Sequence, residues 1–493
     1  MEIISCEKLS FTYALSDKPA LRNVNFSIND GEFCLVIGKS AAGKSTLLKL
    51  LKKEIAPAGK MDGTVKRCYG IGYVSQNAEE MIVCDKVRTE LSFGLTNLGY
   101  PAQKIELKVS EIAGYFNLES KLDNDISSLS GGEKQILNLA SIMIMKPHVL
   151  VLDEPTCQLD PVWADRFANI IKKLNRDFGT TVIIAEHLLD EFYSYADSVL
   201  LIENSTVEAK LPPREMTEYL KNTNNDLLKS IPLQYRISDA YGDISLCRSI
   251  LKKLSLSDIY DKDEKCDIAL KIRNLIFGYD KRNDVINDLC LDVYKNKINV
   301  IVGANSSGKS TLLKLIAGVL KQRRGKIKTD LKASMMCQNP CDLFIHDKCC
   351  DEVEFGTITE FLEIDDIKNK HPYDISGGQA QRLALAMVLS TGADLILLDE
   401  PTKALDTAFK QKLGEKLKEL CKMGKTILIV THDTDFAGEF GDYISFLSRG
   451  EIVTTKARRD FFNFLDFFTT GVSKLTNGIA KGYVCESDLE GRL

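Results

Sequence analysis

Short, unbroken apolar runs recur along this chain, each ending in a polar or glycine-rich turn. Phe33-Cys34-Leu35-Val36-Ile37, His148-Val149-Leu150-Val151-Leu152 and Val182-Ile183-Ile184 lie in its first half. Val300-Ile301-Val302, Asp394-Leu395-Ile396-Leu397-Leu398 and Thr426-Ile427-Leu428-Ile429-Val430 lie in its second. Runs of this length without polar alternation predict strands covered on both faces, hence a mostly parallel sheet within an α/β layer. Helical patterns fall between them, and the whole order occurs twice.

The repeat is anchored by two glycine loops. Gly38-Lys39-Ser40-Ala41-Ala42-Gly43-Lys44-Ser45-Thr46 and Gly303-Ala304-Asn305-Ser306-Ser307-Gly308-Lys309-Ser310-Thr311 each follow a predicted strand and open a predicted helix. Both fit G-x-x-x-x-G-K-[ST], in which backbone N–H groups and a helix start wrap phosphates. Lys44 and Lys309 are expected on the β- and γ-phosphates, and Ser45 and Ser310 on Mg²⁺. Asp153 and Asp399 end later strands and suit the metal. Glu154 and Glu400 follow directly and turn to another side, which suits them to the attacking water as base.

Spacing localises one asymmetry. Gln76 and Ser130 lie 54 positions apart, whereas Gln338 and Ser376 lie 38 apart. The second copy has therefore lost about 16 residues in that one stretch.

Composition narrows the class. The chain has 493 residues, 44% hydrophobic and 27% charged, an ordinary globular balance. A net charge of −5 argues against a nucleic-acid footprint, which would be basic. No run of 18 uncharged apolar residues is present, so a chain lodged in the membrane is not expected. The N-terminus lacks a signal-peptide pattern, and the 14 cysteines lack a paired C-x-x-C framework, so reduced thiols in the cytosol are expected.

With these motifs in place, the chain resembles a pair of ABC-type nucleotide-binding domains. The family signature matches Leu129-Ser130-Gly131-Gly132-Glu133 and Ile375-Ser376-Gly377-Gly378-Gln379. The resemblance implies ATP and Mg²⁺ as cofactors, ATP hydrolysis as the activity, and signature residues of one domain covering the γ-phosphate held by the other. It implies that Gln76 and Gln338 sense Mg²⁺ and water, that His187 and His432 contact the γ-phosphate, and that Asp160 and Asp406 communicate across the pair. Tyr13 and Tyr279 match the aromatic that stacks on adenine. The expected fold is two P-loop domains, each a mostly parallel sheet with a small antiparallel part and a helical subdomain. The expected boundaries are 1–215, a linker at 216–266, a second domain at 267–457 with a shortened helical subdomain, and a tail at 458–493. Gln135-Ile136 follows the first signature and Gln381-Arg382 the second, so the two sites are expected to differ chemically.

The stretches after Gln76 and Gln338 are similar to those of energy-coupling-factor (ECF) importer ATPases, including cobalt-type ones. That resemblance implies a peripheral ATPase on the cytoplasmic membrane face, docked on a transmembrane coupling subunit, with a separate membrane subunit capturing a vitamin, vitamin precursor or transition-metal ion. The unequal stretches are expected to grip different parts of that partner, and the two cassettes to pair within one chain. The rivals are a soluble tandem ATPase acting in translation or regulation, and a sugar-type importer. The tail rings Phe461, Phe462, Phe464, Phe467 and Phe468 are expected to pack on the second domain or at the seam between the cassettes, with a partner or membrane contact as the alternative.

Overall fold

The computed structural model describes every residue except 15, 68–69, 158, 188, 238–241, 262–265, 281–282, 404, 467 and 490–493. The chain divides into two compact units, Met1–Arg236 and Ile237–Leu493.

In the first unit, β1 (Glu2–Tyr13), β2 (Leu21–Asn29) and β4 (Gly59–Arg67) form an antiparallel sheet in the order β2-β1-β4. A second sheet joins β3 (Phe33–Ile37), β5 (Ile71–Val74), β6 (Val149–Asp153), β7 (Thr181–Ala185), β8 (Ser198–Glu203) and β9 (Thr206–Leu211) in the order β5-β6-β7-β3-β8-β9. Only β9 runs antiparallel there. The continuous apolar runs have the expected cause. Phe33, Leu35 and Ile37 of β3 face one apolar cluster, and Cys34 and Val36 face another on the opposite side.

The second unit repeats this plan. β10 (Ile268–Phe277), β11 (Ile286–Tyr294) and β13 (Arg324–Lys328) pair as β11-β10-β13. β12 (Ile298–Val302), β14 (Ala333–Met336), β15 (Leu395–Asp399), β16 (Thr426–Val430), β17 (Tyr443–Ser448) and β18 (Glu451–Ala457) pair as β14-β15-β16-β12-β17-β18. Both units are α/β, as read from the sequence.

The missing residues fall on helices. Between Gln76 and Ser130 the first unit carries helices Val87–Asn97 and Ala102–Phe116. Between Gln338 and Ser376 the second carries only Cys349–Glu352 and Thr357–Phe361.

The segment read as a linker is divided between the units. Helix Pro213–Asn222 packs on the first, where Met216, Leu220, Leu227 and Ile231 join its core. Helix Ile244–Lys253 belongs to the second, and Arg248 donates to the carbonyls of Lys474 and Asn477. The tail is built into the second unit as well. Phe461, Phe462, Val484 and Cys485 are core residues, Phe468 packs on Phe446, and Phe464 is exposed. Phe467 lies outside the described residues.

Candidate functional site

Each glycine loop is shaped by positions where a side chain does not fit. Gly43 and Gly308 open their helices at φ 105° and 102°, a region L-residues avoid. A Cβ on Gly38 would fall 2.4 Å from the Ile202 carbonyl oxygen, and one on Gly303 would fall 2.2 Å from that of Leu447. The lysine of each loop folds back over it. Lys44 Nζ donates to the carbonyls of Gly38 (2.8 Å) and Lys39 (3.2 Å), and Lys309 Nζ to those of Gly303 (2.9 Å) and Ala304 (3.0 Å). A buried ammonium bonded to neutral loop carbonyls is suited to exchanging them for a polyanion.

Around the first loop the predicted residues converge. Ser45 Oγ donates to Asp153 (2.9 Å), and Tyr73 OH donates to its other oxygen (3.1 Å). Glu154 lies 3.0 Å from His187 Nε2 and accepts from Gln76 Nε2 at 3.1 Å. His187 Nε2 also lies 3.3 Å from Lys44 Nζ. Burial works to raise the Glu154 carboxyl, but His187 and Lys44 outweigh it and hold it below the usual range. Asp153 is shifted the other way, by burial first and the Glu154 charge second.

The second site is similar but not identical. Glu400 Oε2 accepts from Thr431 Oγ1 (3.0 Å) and the His432 backbone N–H (3.3 Å), and lies 3.0 Å from His432 Nδ1. Burial again works to raise Glu400, and the charge and hydrogen bond of His432 hold it low. Both oxygens of Asp399 are buried without a hydrogen-bond partner of ordinary geometry. Burial, offset only in part by Ser310, Lys309 and Lys314, pushes this carboxyl up to about 6. The position equivalent to Tyr73 is Met335, which has no hydroxyl to offer. Gln338 is exposed and is not brought to Glu400.

The remaining predicted residues sit at helix starts or beside the loops. Ser130 and Ser376 cap helices Gly131–Met143 and Gly377–Ser390 in capping boxes with Glu133 and Gln379. Asp160 and Asp406 cap the helices that follow, accepting from Trp163 N (3.0 Å) and Phe409 N (2.9 Å). Tyr13 OH bonds Thr46 Oγ1 (2.8 Å) and Tyr279 OH bonds Thr311 Oγ1 (3.2 Å), which places both rings beside their loops.

Three residues of these sites had no role in the sequence reading. They are Tyr73, and Glu186 and Thr431, which directly precede the two histidines. Comparing the copies position by position is the signal that finds them: Tyr73 against Met335, and Glu186 against Thr431.

The site residues fit magnesium on the structure's own terms. A buried carboxylate pushed up by burial despite the Ser310 hydroxyl, as at Asp399, lacks what a hard cation supplies. The serine hydroxyl beside Asp153 and the one at position 310 complete an oxygen-only donor set.

Comparison with known proteins agrees with this chemistry. The ABC transporter family model matches residues 21–157 and 286–403. A Bacillus anthracis protein bearing the provisional name ABC transporter ATP-binding protein is 34% identical, over 95% of this chain and 94% of its own. The Bacillus subtilis protein YkoD, provisionally named an HMP/thiamine import ATP-binding protein, is 27% identical over 90% of this chain and 89% of its own. Among solved structures, an archaeal ribosome recycling factor, aABCE1, superposes with a TM-score of 0.64 at 20% identity, covering 92% of this chain and 91% of that one. At that identity the likeness is one of fold. The chain belongs to the ABC transporter ATP-binding family: it is a tandem ABC ATPase, whose domains bind ATP with Mg²⁺.

Proposed function

We propose that this chain is the energising ATPase of an ECF-type importer of a vitamin, vitamin precursor or transition-metal ion. Similarity to YkoD over 90% of this chain and 89% of that one is the observation that carries this reading. The unequal helical segments support it, since they suit an asymmetric membrane partner. Among the described residues no helix is long and apolar enough to cross a membrane, so the solute path belongs to partners.

In this reading Lys44 and Lys309 release their loop carbonyls to hold the β- and γ-phosphates, beside the loop amides. Asp153 with Ser45, and Asp399 with Ser310, would hold magnesium, which supplies charge neutralisation at the phosphates when bound. Glu154 and Glu400, kept ionised by their histidines, orient and deprotonate the attacking water. Nucleotide binding closes the two cassettes and hydrolysis reopens them, a switch driven by differential binding.

The test is co-expression with a hydrophobic coupling protein and a capture subunit encoded nearby. Co-purification from membranes with stimulated ATP hydrolysis is the expected result. Full activity of the chain alone, with ribosome association and no membrane partner, would establish the soluble rival instead.

A further inference from the structure

The backbone brings the same two strand ends together in both units. Glu154 N–H donates to the Ala185 carbonyl (2.9 Å) and Glu400 N–H to that of Val430 (2.8 Å). The next residue, just before the histidine, therefore occupies one equivalent position, filled by Glu186 in the first unit and Thr431 in the second. Both are buried, at 2% and 0% exposure.

Their side chains do opposite things. Thr431 Oγ1 donates to Glu400 Oε2 at 3.0 Å, and every hydrogen-bond partner described above for that carboxylate comes from residues 431 and 432. Glu186 turns away from Glu154. Its Oε1 accepts from Thr156 N (2.9 Å) and Thr156 Oγ1 (2.7 Å), and its Oε2 from His187 N (3.3 Å). Glu154 is then held by His187 on one oxygen and by Gln76, from the loop after β5, on the other.

We propose that the residue before each histidine is a positioning residue that decides what governs the hydrolytic carboxylate. Thr431 clamps Glu400 to its own strand end, so the second site is set locally. Glu186 removes that clamp and leaves Glu154 answerable to Gln76, so the first site is set by the loop bearing that glutamine. The physical reason is donor supply. A threonine hydroxyl gives one short, directed hydrogen bond to a carboxylate, whereas the Glu186 carboxyl faces Thr156 and the His187 N–H and makes none to Glu154. This rests on the assignment of Glu154 and Glu400 as the bases, which is checked separately: E154Q/E400Q must abolish turnover.

The experiment is a double-mutant cycle on the full chain, read as phosphate release and run both in the E400Q chain and in the otherwise intact one. In the E400Q chain Q76A is expected to lower kcat at least tenfold; with E186T also present, the loss is expected to shrink below threefold at unchanged KM. In the intact chain the same contrast is expected, diluted by the second site. E186V, which cannot donate, should keep the full Gln76 dependence. In the E154Q chain T431V should lower kcat about fivefold or more, and T431S should restore it. Equal losses from Q76A with and without E186T, or loss of Gln76 dependence in E186V, would overturn the proposal. So would T431S behaving like T431V. Melting and ATP-analogue binding of each variant separate these outcomes from misfolding. An active E154Q/E400Q chain would overturn the base assignment instead.

Discussion

Glu186 shows how one side chain makes stability depend on pH. Burial pushes its carboxyl up from 4.5 to about 8. The folded chain therefore keeps a proton that the unfolded chain releases, and stability falls as pH rises between those two values. The slope is at most about 1.4 kcal/mol per pH unit. E186Q carries no such proton, so its denaturation midpoint should decline less than the wild type's between pH 5.5 and 8. Parallel curves would show that the buried acid is not the cause. Asp399 offers a second test. Asp399→Asn removes a carboxylate that burial pushes up to about 6 and should stabilise the magnesium-free chain at pH 8 by about 1–3 kcal/mol. Asp153→Asn turns one of the two acceptors used by Ser45 and Tyr73 into a donor and should gain less; calorimetry in a chelator reads the difference. Lys44 and Ser45 were legible from the glycine-loop motif and Asp153 and Glu154 from the end of an apolar strand, whereas His187 was marked only by the family resemblance. The exposure of Gln338 and the Tyr73 bond to Asp153 were not, since both depend on how a side chain turns after the backbone is set.

Among the elements, the signature helices show which part of a motif is structural. A Cβ on Gly132 would lie 2.5 Å from the Trp163 ring, whereas Gly131 and Gly377 have nothing within 4 Å. Gly132→Ala should therefore destabilise the first unit by about 1–3 kcal/mol through overpacking. Gly131→Ala should leave the melting temperature nearly unchanged, and the reverse order would refute this division. Apolar runs announced the strands correctly because strands buried on both faces tolerate no polar alternation. The shortening of that stretch was also readable, as a spacing difference between copies. What the pattern hid was the fate of residues 213–261. Their helices are amphipathic, and amphipathicity says that a face is covered without saying by what.

At the level of the whole molecule, the tail closes the second unit. Arg459, whose side chain is only 13% exposed, joins Asp261 (3.3 Å) and Asp488 (2.6 Å). Burial works against this guanidinium, yet the two carboxylates raise its affinity for the proton, and Arg459 helps hold Asp488 below the usual range. Arg459→Ala removes the guanidinium from both acids, which keep backbone N–H donors from residues 459, 484 and 485, and should cost about 1–3 kcal/mol, with residues 244–261 and 458–489 becoming protease-sensitive together. Cleavage confined to the last residues would show that the clamp does not couple them. Tail phenylalanines signalled burial in the sequence, but the pairing of Arg459 with Asp261, 198 residues earlier, could not be read from periodicity. This arrangement also orders events on the ribosome. The first lobe has all its pieces once residue 236 is made, while the second waits for residue 488, some 250 residues later. At ordinary elongation speeds that gap lasts on the order of tens of seconds. A nascent chain thus carries one finished phosphate cradle with no sibling, and a premature stop near the 3′ end of the message spares the first lobe while crippling the other.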